Sequence, residues 1–97
     1  MRSEIDYSEI REAILSLLSV YSEIIEADTY SAVMQYLQHG EYEMAFEGLL
    51  IDLINAKFEK QKINIDYYLS LGQVLGLDKN TVFNPNFWND FVNYLYK

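Results

Sequence analysis

From Ile10 to Ile25 the apolar residues return at every third or fourth position: Ile10, Ile14, Leu17, Leu18, Tyr21, Ile24 and Ile25. That spacing lines them along one stripe of an α-helix, whereas a half-buried strand needs strict alternation. Alternation is confined to short runs such as residues 62–67, and the chain holds one proline and four glycines. The chain is therefore expected to be all-α: a single-domain bundle of about five helices with short antiparallel connections, one domain over residues 1–97.

Local signals place the helix ends. Asp6 followed by Glu9 has the spacing of a capping box and predicts the start of the first helix. Asp28 is the expected N-cap of a second helix that carries Tyr30, Val33, Met34 and Leu37 on one face. In "QHGEYE" (38–43), His39 suits a last turn, Gly40 suits the left-handed residue that ends a helix, and Glu41 and Glu43 suit the first turn of the next. A corner this tight makes the second and third helices antiparallel neighbours. The third is expected to run over about 41–60, with Tyr42, Ala45, Phe46, Leu49, Leu50 and Leu53 buried and Lys57 and Lys60 near its far end. Gly48 lies inside it, where glycine costs about 1 kcal/mol against alanine, so another element or a partner is expected to approach there. Asn64 or Asp66 caps a fourth helix ending at Leu75 and Gly76. Asn84 and Pro85 open a fifth, with Phe87, Trp88, Phe91, Val92 and Leu95 as its stripe.

The charge is uneven as well as acidic. Between Glu12 and Ala56 lie eight acids and no Lys or Arg, within a net charge of −8. Solubility alone would account for such a surface, and so would a basic partner. Direct binding of nucleic acid is disfavoured, because phosphate contacts require the opposite sign. The absence of cysteine excludes disulfides, thiol catalysis and thiolate metal sites, and a single histidine excludes a multi-His metal site within one chain. No apolar run approaches membrane-spanning length. The segment "MRSEIDYSEIREA" has acids where a signal peptide has a basic and an apolar region, so a cytoplasmic location is expected.

Chemistry would have to come from carboxylates. Glu43 and Glu47 share one edge of the third helix, but that edge reads as solvent-facing, so no catalytic residue, cofactor or metal site is expected. Among the nine tyrosines, Tyr30, Tyr36 and Tyr42 are anchor candidates if they are left exposed beside the acids. The residue chemistry favours binding over catalysis.

The segment "YLQHGEYEMAFEGLLIDLI" (36–54) resembles the MafI-like immunity proteins, a bacterial group that also supplies immunity partners in contact-dependent growth inhibition. The matching positions are Leu37, Gly40, Glu41, Ala45, Phe46, Glu47 and Leu49. The likeness extends into "IDYYLSLGQVLGLD" (65–78) and covers roughly residues 28–78. Phe46 stands where leucine is more usual, and Glu43 where a small residue is common. The resemblance implies a small helical protein that binds and neutralises a cognate toxin domain, frequently a nuclease and in some systems a tRNA-cleaving one.

A nuclease carries a basic cleft, and an acidic face could occupy that cleft in place of substrate or dock beside it. The expected partner-binding residues are Glu26, Asp28, Glu41, Glu43 and Glu47, taken as a cluster around the corners joining the first three helices. The alternative is a helical adaptor or subunit that associates with itself through its aromatic C-terminal segment.

Overall fold

The computed structural model describes residues 5–97, so the first four residues of the N-terminal segment read above lie outside it. Among the described residues there are five α-helices and no strand: α1 (Tyr7–Val20), α2 (Ala27–Gln38), α3 (Tyr42–Asn55), α4 (Ile65–Val74) and α5 (Phe87–Tyr96). A single 3₁₀ turn, Lys60–Lys62, stands between α3 and α4.

The centre belongs to α3. Ala45, Phe46, Leu49, Leu50 and Leu53 are all fully buried, and α1, α2 and α5 each pack against it. A helix apolar around this much of its circumference can be stable only if it is surrounded. The tight corner makes α2 antiparallel to α3. Helix α1 runs alongside α3 in the same direction: Tyr7 stacks on Tyr42 at one end (4.9 Å), and Tyr21 meets Phe58 edge-on beyond the other (5.1 Å). The α4–α5 pair closes the remaining side. Gly72 lies under Trp88, and Tyr96 donates to Asp66, so these two helices are antiparallel as well.

Three helix ends share one device. In α2, α3 and α4 the C′ residue is left-handed, and the next amide donates back across the last turn: Glu41 to the Tyr36 carbonyl, Phe58 to that of Leu53, Leu77 to that of Gly72. These are Schellman stops, and Gly40 (φ 70°) and Gly76 (φ 80°) adopt the required conformation without a Cβ penalty. The stop of α3 uses Lys57 (φ 57°) instead. It shortens the helix expected over 41–60 and places neither Lys57 nor Lys60 on it. The physical reason is Phe58, which leaves the helix to lie between Tyr21 and the Tyr94 ring, stacked at 5.0 Å on the latter. Lys60 instead donates to the carbonyls of Tyr94 and Lys97 at the end of α5.

Other boundaries also move. Asp6 does cap α1, accepting from the Glu9 amide at 3.1 Å, but the Glu9 carboxylate accepts from the Tyr67 hydroxyl (2.8 Å) rather than turning back. Helix α1 stops at Val20, because the amides of Ile24 and Ile25 fold back onto the Tyr21 carbonyl; Ile25 is buried and Ile24 swings into solvent. Glu26, not Asp28, occupies the N-cap of α2. It makes no side-chain cap; instead its amide donates to Asp52 on α3, and Asp28 falls in the first turn. Asn84 precedes α5 by three residues and accepts from the Asn86 amide, forming a turn ahead of the helix. The aromatic stripe of α5 is turned inward, with Phe87, Phe91 and Leu95 buried.

Candidate functional site

Five carboxylates were expected to form one face. The structure divides them. Glu26 and Asp28 sit at the start of α2, while Glu41 and Glu43 sit at the start of α3, beyond the far end of α2; all four are exposed. The ten α2 residues that follow Asp28 separate it from the α2–α3 corner, about 15 Å at the helical rise. The α1–α2 corner, where Glu23 joins Glu26 and Asp28, is therefore a different surface from the α2–α3 corner.

At the α2–α3 corner the geometry follows from the stop at Gly40. His39 is the C-cap, and its Nδ1 donates to the Gln35 carbonyl at 2.8 Å, the helix-end role its position suggested. The chain reverses within two residues, and Glu41 becomes the N-cap of α3 with its side chain making no cap bond. Glu43 follows in the first turn. The free amides at this helix end favour negative charge.

Glu47 departs from the expectation. It is one turn beyond Glu43, but it has 0% exposure and cannot contribute to a solvent-facing acidic edge. Its Oε1 accepts from the Val82 amide (2.7 Å), and its Oε2 accepts from the amides of Phe83 (2.8 Å) and Asn84 (2.9 Å). The segment between α4 and α5 lies across α3 here and replaces water with three backbone donors. Among the described residues no lysine or arginine pairs with this carboxylate, and the ion pair found is Lys62–Glu59 (3.3 Å).

Gly48, next to Glu47, faces the same segment. A Cβ at Gly48 would stand 3.5 Å from the Phe83 ring and 4.0 Å from that of Tyr36. The element beside this glycine is the protein's own chain, at an ordinary contact distance that does not itself require glycine. Phe83 and Tyr36 tilt against each other at 6.2 Å, and both Phe83 (46%) and Val82 (45%) remain exposed. The outer surface of this region is apolar, its inner side is a buried carboxylate, and Glu43 lies on the same helix edge. Reading the sequence missed Val82 and Phe83 as surface residues. The available signal was the glutamate inside "MAFEGLL": on a helix apolar nearly all round, something must cover it.

At the opposite corner Val20 and Ile24 are exposed, and with Lys57 and Glu59 they border a hollow of about 120 Å³. Ligand pockets run to roughly 300–1,000 Å³, so this hollow is smaller than a drug-sized molecule requires. Among the described residues no three of His, Asp and Glu converge as a metal site requires, and no helix is long and apolar enough to cross a membrane.

Comparison with protein-family models, with curated proteins and with solved structures finds no match to this chain.

Proposed function

We propose that this chain binds a cognate toxin domain, of the basic nuclease type, and neutralises it through the negative surface at the α2–α3 corner. What supports the reading is the charge that remains uncompensated: Glu41 and Glu43 are exposed, and among the described residues neither forms an ion pair. The stretch from Glu12 to Ala56 contains no cation to pair with them. Three of the six described cations are otherwise engaged: Arg11 reaches the α2–α3 corner but donates to the Leu37 carbonyl, Lys60 binds the end of α5, and Lys62 pairs with Glu59. The resemblance of residues 36–54 to MafI-like immunity proteins supplies the class of partner, and the potential supplies the means of encounter.

With Glu47 withdrawn, the partner-facing acids reduce to Glu41 and Glu43 as the principal pair, with Glu26 and Asp28 as a second, separate surface. Cytoplasmic location belongs to the same reading, since the resemblance implies a cytosolic protein.

The test is genetic and then kinetic. The reading frame next to this chain's gene should encode a toxin, and co-expression of this chain should restore growth. Reversal of Glu41 and Glu43 to lysine should slow association, because steering acts mainly on the on-rate and weakens with salt. Wild-type association rates in the double variant would remove the electrostatic mechanism, and absence of rescue by the wild type would remove the function.

A further inference from the structure

We propose that Phe83 and Val82, with Tyr36 beside them, form the apolar anchor of the partner-binding surface, and that the partner offers an apolar pocket rimmed by lysine or arginine. This rests on the toxin-antagonist reading above and identifies which part of the surface makes the close contact.

Single exposed apolar residues are ordinary in a soluble fold. These two differ in how they are held. The amides of Val82 and Phe83 both donate to one fully buried carboxylate, and the Phe83 ring rests on Gly48 and against Tyr36. A loop amide at the surface can be satisfied by water at almost no cost, whereas burying an unpaired carboxylate is expensive. Residues 82–84 are nonetheless secured by Glu47. What this arrangement achieves is a fixed backbone beneath two outward apolar side chains.

A rigid, exposed aromatic loses little entropy on binding, which is why residues of this kind dominate interface energetics. The charge around the anchor sets the chemistry of the occupant. Glu43 is one helical turn before Glu47 on the same edge of α3, Glu41 precedes it at the corner, and among the described residues neither forms an ion pair. An apolar projection bordered by carboxylates fits an apolar recess bordered by bases.

The experiment uses the full chain and the purified, catalytically inactivated product of the neighbouring toxin reading frame. Binding kinetics are measured for the wild type, Phe83→Ala, Tyr36→Ala and Glu47→Gln, with Val74→Ala on α4 as the control, since Val74 is equally exposed (49%) but outside this surface. Phe83→Ala should raise Kd at least about 30-fold, mainly through faster dissociation, and Val74→Ala should leave it within about twofold. In the free protein, Glu47→Gln should speed amide exchange at Val82, Phe83 and Asn84 at least about tenfold. If that variant does not fold, Phe83→Ala carries the test alone, since Phe83 is exposed whereas Tyr36 is half-buried against the core.

Three results would overturn the proposal, each in a different way. Phe83→Ala binding as tightly as the wild type would remove this anchor and leave the toxin-antagonist reading standing. Failure of the wild type to bind would remove both. A wild-type dimer lost in Phe83→Ala would make the surface an interface between two copies of this chain.

Discussion

Replacing Glu47 by glutamine changes one atom and tests the link between α3 and the segment ahead of α5. The carboxylate accepts three amides, at 2.7, 2.8 and 2.9 Å. A glutamine has one acceptor oxygen. If that oxygen takes the Oε2 place, Phe83 and Asn84 keep a partner, while the side-chain NH₂ faces the Val82 N–H, donor against donor. A net hydrogen bond to a charged group contributes about 1.5–3 kcal/mol, and a buried donor left unmade costs about 1–3 kcal/mol. Some of this is recovered, because the neutral side chain no longer carries the desolvation cost of a buried charge.

The expected net loss for Glu47→Gln is about 2–4 kcal/mol, a large share of the roughly 5–15 kcal/mol that a domain of this size possesses. Urea unfolding followed by helical circular dichroism would show it as a lowered midpoint. Amide exchange would show where it acts: first at Val82, Phe83 and Asn84. A loss below about 0.5 kcal/mol with these three amides still protected would refute the account of Glu47 as the structural anchor of that segment.

Two glycines should respond in opposite directions to alanine. At Gly48 the added methyl meets only ordinary contact distance and gains helix propensity, so Gly48→Ala should stabilise by about 0.5–1 kcal/mol. At Gly72 it would stand 2.6 Å from the Trp88 ring and 3.3 Å from that of Phe46, so Gly72→Ala should destabilise by roughly 1–3 kcal/mol. Lys57→Gly should stabilise by up to about 1 kcal/mol in urea unfolding, because it removes a left-handed side-chain residue, offset in part by the freer unfolded chain; destabilisation would contradict the reading of that stop.

The tyrosines set an alkaline limit. Burial, aided by the Glu59 charge, raises Tyr21 to about 12, and the hydrogen bond to Glu9 raises Tyr67 to about 12. The folded state then keeps protons that the unfolded state, titrating near 10, has already released. Stability is therefore complete below pH 10 and declines as pH rises from 10 towards 12. Tyrosinate absorbance should show these two groups titrating late, together with unfolding, and Tyr21→Phe should weaken the dependence.

The correspondence between sequence and fold is closest where the controlling interactions are local. Helical spacing in Ile10, Ile14, Leu17 and Leu18 gives the buried stripe of α1, and His39-Gly40 gives the reversal between α2 and α3, because a cap or a left-handed residue acts within a few positions of itself. The uncompensated acids from Glu12 to Ala56 could also be read directly, since pairing across helix turns depends on nearby residues. Lys57 marks where this local reading fails: nothing beside it signals a stop, and Phe58 leaves the helix for two rings contributed by other elements.

The candidate site was decided mainly by tertiary structure. Glu26 and Glu43 read as neighbours along a chain of corners, but the length of α2 places them at opposite ends of the same hairpin. Glu47 reads as an exposed acid because periodicity measures one helix at a time, while the amides that bury it come from 35 residues or more downstream. Periodicity and charge spacing are properties of the chain and determined the helices and the sign of their surface. Which carboxylate meets water and which meets a backbone was settled only when α3 was enclosed, because burial is a property of the whole assembly of helices.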